Sequence, residues 1–224
     1  MADIEELVRK LGDPDLKASA DAAKALRDAA LKGADMTSAV STLAKGLSNE
    51  DVNIRRMSAE ALWHSAFIGV DISAAMPALA NALSDAGEGV PLRAITALYH
   101  AAEHGADISI ATSALAKALS DKNMAVRRNA AGTLEKAIEN CASAGSLDGI
   151  EARVSESYAA LRNGCRYGKE TEPTGTGLAF SELTNQIAKR RDALAAKRDV
   201  LLEDIPKPPK KGGVYQEMRK VRNG

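Results

Sequence analysis

LSNEDVNIRRMSAEALWHSAFIGVDISAAMPALANA, residues 47–82, runs directly into LSDAGEGVPLRAITALYHAAEHGADISIATSALAKA, residues 83–118, and the two stretches lie in one phase. Leu62 answers Leu98, Gly69 answers Gly105, Asp71 answers Asp107 and Leu79 answers Leu115. The same frame reaches upstream to Leu11-Gly12-Asp13 with Leu26, Gly33, Asp35 and Leu43, and downstream to Leu119-Ser120-Asp121 with Leu134. A self-similar period of 36 residues marks stacked supersecondary units.

Each unit reads as two helices. In the first, small or apolar residues stand at Ile54, Ser58, Ala61, Leu62 and Ser65, and again at Val90, Ala94, Ala97, Leu98 and Ala101, which is one face of a helix. Gly33, Gly69 and Gly105 then supply a left-handed C-terminal cap. Two residues on, Asp35, Asp71 and Asp107 are placed to cap the second helix, whose apolar positions are Ile72, Met76, Leu79 and Leu83 in one unit and Ile108, Thr112, Leu115 and Leu119 in the next. Pro77 and Pro91 fall in first turns, where a missing N–H does no harm. A pair this small cannot bury its face alone, so the pairs stack. The expected fold is all-α, a right-handed α-solenoid of about four 36-residue hairpins over residues 1–164.

Composition agrees. Alanine accounts for 43 of the 224 residues and aromatics for only 3%, which favours closely packed helices over the branched and aromatic faces of sheets. Columns such as Ala25/Ala61/Ala97 allow that close approach. Ile4 and Leu7 read as an N-terminal half-repeat, and the fourth unit degrades at Cys141, Ser143 and Glu151, so its second helix is expected to slip and run to about Arg162 on Leu147, Ile150, Val154, Tyr158 and Leu161. Thirty basic residues balance thirty acidic ones, no apolar run approaches the roughly 20 residues of a membrane span, and the acidic start is unlike a secretory leader. Two cysteines, Cys141 and Cys165, form no disulfide framework, and cytoplasmic or another reducing placement is expected.

The segments Asp51-Val52-Asn53-Ile54-Arg55-Arg56-Met57-Ser58-Ala59-Glu60-Ala61-Leu62 and Asn123-Met124-Ala125-Val126-Arg127-Arg128-Asn129-Ala130-Ala131-Gly132-Thr133-Leu134 resemble the first-helix signature of HEAT repeats, and Ala75-Met76-Pro77-Ala78-Leu79-Ala80-Asn81-Ala82-Leu83 is similar to their second helix. The resemblance covers Leu11 to Val154 and includes the armadillo-like and lyase-type HEAT-like branches. It implies architecture and says little of activity, since scaffolds, transport receptors, assembly factors and a few enzymes share the fold. It also implies that the first arginine of each pair, Arg55 or Arg127, braces neighbouring repeats through an acid. The di-iron enzymes of this group carry paired His-Glu dipeptides; here only the reversed Glu103-His104 occurs.

Histidines 64, 100 and 104 are the acid–base candidates at neutral pH, and His100 and His104 stand four apart, yet no second ligand pair accompanies them. There is no phosphate-cradling glycine loop, nucleophile elbow or paired-cysteine zinc spacing. No metal, cofactor or catalytic set is expected. Outside the core face, Leu92, Ile95 and Tyr99 fall at i, i+3, i+7, and Trp63 shares the column of Tyr99; these four are expected to form an apolar strip on the outer face, open to a partner or covered by the chain's own C-terminal segment.

Residues 165–177 read as a linker, 178–204 as one long helix with Phe180, Ile187, Leu194 and Leu201 at every seventh position and a companion stripe of Leu183, Arg190 and Lys197 that leaves it only partly apolar, and 205–224 as a basic proline–lysine tail with a short terminal helix at Val214–Val221. Residues 187–224 carry eleven basic and five acidic side chains, a net of +6, which leaves −6 for the rest. Such an arm can fold back, reach a second protein or touch an anionic polymer. The expectation is a non-catalytic adaptor or structural subunit of a multi-subunit assembly, contacting partner proteins through an extended surface lined by second-helix residues and by Trp63, Leu92, Ile95 and Tyr99, and through Lys207, Lys210, Lys211, Tyr215 and Arg219 of the arm. The alternatives are a HEAT-like lyase or cofactor-attachment factor, and a nucleic-acid binder using Arg55, Arg56, Arg127, Arg128 and the arm, which is disfavoured by the scarcity of aromatics there.

Overall fold

The computed structural model describes residues 3–141, 144–166 and 176–203. Its first element, α1 (Ile4–Leu11), is followed by α2 (Leu16–Leu31), α3 (Val40–Gly46), α4 (Val52–Phe67), α5 (Met76–Ala82), α6 (Val90–Glu103), α7 (Thr112–Ala118), α8 (Met124–Asn140), α9 (Ala144–Arg166) and α10 (Thr176–Glu203). Three-residue 3₁₀ turns, Thr37–Ala39, Ser73–Ala75 and Ser109–Ala111, lead into α3, α5 and α7.

The local chemistry that fixes each boundary repeats with the sequence. Asp15, Asp51 and Asn123 cap α2, α4 and α8 by accepting from the backbone N–H two residues on, at 2.9, 2.7 and 2.9 Å. Gly33, Gly69 and Gly105 take φ values of +77°, +84° and +82°, the left-handed conformation that closes α2, α4 and α6. Asp35, Asp71 and Asp107 then accept from the N–H of Thr37, Ser73 and Ser109 at 2.9 Å each. This bond nucleates a 3₁₀ turn before the α-helix begins, so Ile72 and Ile108 lie ahead of the helices they were expected to belong to, although both are buried.

The long helices α2, α4, α6 and α8 form one layer, here called the A layer, and the short helices α3, α5 and α7 the other. Between the layers lie Leu26, Leu62, Leu98 and Leu134, each 0% exposed, with Leu43, Leu79 and Leu115 opposite them. Burying one such leucine stabilises by roughly 1.5–3 kcal/mol before entropy is charged against it. The fold is an all-α solenoid. Its N-terminal end is closed by α1, where Ile4, Leu7 and Val8 pack on the core and α1 touches α2 and α3. Arg55 braces repeats two and three as expected: Nε and Nη2 grip both carboxylate oxygens of Asp85 at 2.7 and 3.0 Å, while Nη1 donates to the carbonyls of Asn49 and Glu50. Burial alone would raise the Asp85 pKa, but the guanidinium and the Gly87 N–H overcome it and hold it below the ordinary range.

At the C-terminal end α9 carries Leu147, Ile150 and Val154 buried, while the side chains of Tyr158 and Leu161 lie outside the described ones. Helix α10 packs on both α8 and α9 through Phe180, Leu183 and Ile187, all at most 2% exposed. Glu182 lies within electrostatic reach of Glu135, and Arg190 donates to the carbonyl of Cys141 at 2.8 Å, so α10 advances in the same direction as α8. Arg191 bonds Asp148 at 2.8 Å and Glu151 on α9. Although the 36-residue rhythm has stopped, α10 occupies the place of a fifth A-layer helix and closes the stack.

Candidate functional site

The A-layer surface turned away from the short helices is a lattice with a step of 36 residues: Arg27, Asp28 and Leu31 on α2; Trp63, His64 and Phe67 on α4; Tyr99, His100 and Glu103 on α6; Glu135, Lys136 and Glu139 on α8. On each helix the three sit at i, i+1 and i+4, and equivalent side chains on adjacent helices become neighbours. The Trp63 ring stacks on His64 with centroids 4.6 Å apart. His100 receives the edge-on rings of Phe67 and Tyr99 at 5.1 and 5.3 Å, and its Nδ1 lies 2.7 Å from Glu103. A ring nitrogen of His104 is 3.4 Å from the Phe67 carbonyl. Phe67, His100 and Tyr99 thereby form one ring cluster across α4 and α6, with the Trp63–His64 stack one turn earlier on α4.

Charges flank it. Glu60 is held from both sides, by Arg93 at 2.9 Å and Arg27 at 3.8 Å. Towards α8 the acids gather: Lys136 pairs with Glu139 at 2.6 Å, while burial, then Glu182 and Glu139, push the Glu135 carboxyl above its ordinary pKa. Towards α2 exposed apolar side chains gather at the C-terminal ends of the helices, Leu31 61%, Phe67 60% and Ile68 46% exposed, beside the Arg27–Asp28 ion pair. The face thus carries exposed apolar side chains beside an ion pair at one end, rings at its centre, and Glu135 and Glu139 with Lys136 at the other.

No family model matches the chain, and no curated protein matches it. Among solved structures it is similar to a designed armadillo repeat protein, 18% identical, with a TM-score of 0.61 over 93% of this chain and 94% of that one. It is also similar to a designed armadillo repeat protein in complex with the peptide (KR)4, 18% identical, TM-score 0.53, over 83% and 100% of the two chains. A third, a computationally designed armadillo repeat protein for modular peptide recognition, is 17% identical with a TM-score of 0.50 over 82% and 99%. The chain has a HEAT/armadillo-like fold.

Within this armadillo-like solenoid the expected strip needs one correction. Ile95 is 0% exposed and does not belong to an outer surface. The reason is geometric: α6 is flanked by α4 and α8 as well as by its own short partner, so three of its faces are buried, and Ile95 takes the inter-helix column of Ala23 and Ala59. Leu92 is half-buried at the start of α6, whereas Trp63 and Tyr99 do stand on the lattice. Lys207, Lys210, Lys211, Tyr215 and Arg219 lie outside the described residues. His64, Phe67, Leu31 and the Arg27–Glu60–Arg93 chain were not anticipated; shifting Trp63 and Tyr99 by one and four positions along the helix, in the same 36-residue frame, would have found the first three.

A separate cavity of about 500 Å³ opens where the fourth repeat loses register, lined by Asp107, Ser109, Asn140, Cys141, Gly149 and Arg153. Its groups are mostly committed: Asp107 accepts from Ser109 N–H, Asn140 donates to the Ala102 carbonyl at 2.6 Å, and burial pushes the Cys141 thiol up, keeping it protonated at neutral pH. Among the described residues no cluster of three or more His, Cys, Asp or Glu has the arrangement to hold a metal, and no helix is long and apolar enough to cross a membrane.

Burial lowers the His64 pKa below its ordinary value; Glu60 opposes this, while Arg27 and His100 reinforce it. A depressed imidazole pKa means the unfolded chain binds more protons between the folded value and about 6.5, so stability falls as pH drops through that window. Thermal unfolding at pH 7.5 and 5.5 should show this loss in the native chain and a smaller one in His64→Gln. Equal slopes would remove His64 as its cause.

Proposed function

We propose that this protein is a non-catalytic binding scaffold whose A-layer lattice holds an extended polypeptide segment of a partner protein. The observation that carries the reading is the pair of ring clusters, Trp63–His64 on α4 and Phe67–His100–Tyr99 across α4 and α6, set between exposed apolar side chains and an acid-rich end. Aromatic anchors of this kind supply large contact area at low entropic cost, and the acids select a cationic neighbour. Two of the similar designed proteins are described by peptide complexes or peptide recognition, which supports the same reading here. Arg55, committed to Asp85, is not available to a phosphate, which weighs against nucleic acid. The basic arm, with Lys207, Lys210, Lys211, Tyr215 and Arg219, would give a second contact within a larger cytoplasmic assembly.

A fluorescein-labelled octapeptide of alternating Lys and Arg tests the surface by fluorescence anisotropy. Trp63→Ala with Phe67→Ala should weaken binding at least about tenfold, the loss typical of a central aromatic anchor pair. Unchanged affinity would dismiss the ring clusters as the binding surface.

A further inference from the structure

The lattice has a definite polarity and the chain carries a segment of matching composition. Residues 204–224 hold six basic and two acidic side chains, and Val214, Met218 and Val221 fall at i, i+4, i+7 with Tyr215 beside them. That is an apolar stripe with cations next to it, the complement of a surface where Leu31, Phe67 and Ile68 are exposed and Glu103, Glu135 and Glu139 follow.

The course of α10 delivers this segment to the right edge. Leu31, Phe67 and Glu103 are the last residues of α2, α4 and α6, so the exposed apolar and acidic ends of the lattice share one rim. Helix α10, parallel to α8, reaches that rim where Arg190 meets the Cys141 carbonyl, and continues to Glu203. The remaining length is about 20 Å at 1.5 Å per residue. From there to α4 is three helix spacings of about 8–10 Å. Returning along the axis and crossing those helices needs about 36 Å, and the eleven residues from Glu203 to Val214 span roughly that distance when extended.

We propose that residues 214–222 dock in cis on the Leu31–Phe67–Ile68 end of the lattice, so that the chain occupies its own binding face until a partner segment displaces it. The inference rests on the polypeptide-binding reading of that face. Displacement frees the basic arm, so one event opens the surface and releases the second contact. With a tethered tail at an effective concentration near 1 mM and an intrinsic affinity near 100 μM, self-occupancy weakens a competing ligand about tenfold.

The full chain carrying Val214→Ser, Tyr215→Ser, Met218→Ser and Val221→Ser keeps its charge and loses the apolar stripe. It should bind the Lys-Arg octapeptide about tenfold more tightly than the native chain. Acrylamide quenching of Trp63, the single tryptophan, should rise about twofold in the same variant, and both differences should be independent of protein concentration. Equal octapeptide affinity of the two chains overturns self-docking while leaving the face intact as a binding surface. Binding to neither removes the face reading, and self-docking falls with it. A difference that vanishes on dilution would seat the tail on a second copy and overturn docking in cis.

Discussion

Leu183→Asp should lower the unfolding free energy by about 3–5 kcal/mol, the largest loss expected from any single change at the C-terminal end. Leu183 is 0% exposed between Phe180 and Ile187, on the stripe by which α10 meets α8 and α9. A carboxylate there would lie among buried apolar side chains, and the cation that continues the stripe, Arg190, is two turns on and engaged by the Cys141 carbonyl, so the helix detaches sooner than bury the charge. Detachment exposes Phe180 and Ile187 together with the apolar face they cover, and it breaks the Arg190–Cys141 and Arg191–Asp148 contacts. The loss is capped at the docking free energy of α10, because a released helix exposes no more. Urea unfolding followed by far-ultraviolet circular dichroism measures it. An unchanged midpoint would mean that α10 adds nothing to the stability of the solenoid, and the view of it as a fifth A-layer helix would be wrong.

The second large effect lies between α3 and α4. A Cβ on Gly46 would collide with Ser58 Oγ and stand 3.2 Å from its Cβ, and that hydroxyl is itself buried without a hydrogen-bond partner. One and two repeats later the same columns hold Ala82 with Ala94 and Ala118 with Ala130, all buried. The Gly46–Ser58 pair therefore keeps volume by making one member smaller and the other larger. Gly46→Ala alone should cost about 1–3 kcal/mol through overpacking. Ser58→Ala alone should be neutral or stabilising by up to about 1 kcal/mol, because it removes an unsatisfied buried hydroxyl. Combined, they recreate the pair of the later repeats and should return to within about 0.5 kcal/mol of the native chain. Urea midpoints of the four proteins complete the cycle. Additive single effects would show that the two positions do not share one space.

Much of this architecture was legible in the chain. The leucine columns, the glycine caps, the aspartates that start the short helices and the Arg55 brace all act within one hairpin or between adjacent ones, and a fixed period repeats such contacts faithfully. Trp63 and Tyr99 were recognised as surface residues because they share a column outside the core face. Ile95 was misread because a helix taken by itself has an inside and an outside, whereas a helix in the middle of a stack has neighbours on both flanks. The histidines carried no metal or catalytic pattern; the His64 stack on Trp63 is local to α4, whereas the meeting of Phe67 with His100 emerged only when α4 and α6 were set side by side.

The sequence by itself determined the unit: its length, its two helices, the residues that begin and end them, and the small side chains that let units approach. Tertiary structure alone decided which flank of each long helix is buried, how rings from different repeats meet, and that α10 returns alongside α8. The physical reason is that periodicity specifies neighbours one repeat apart, while the Arg190–Cys141 bond joins residues 49 apart in sequence and follows no period. Helix α10 carries its apolar stripe at Phe180, Leu183 and Ile187 whatever lies opposite; only packing reveals that the opposite surface is the chain's own.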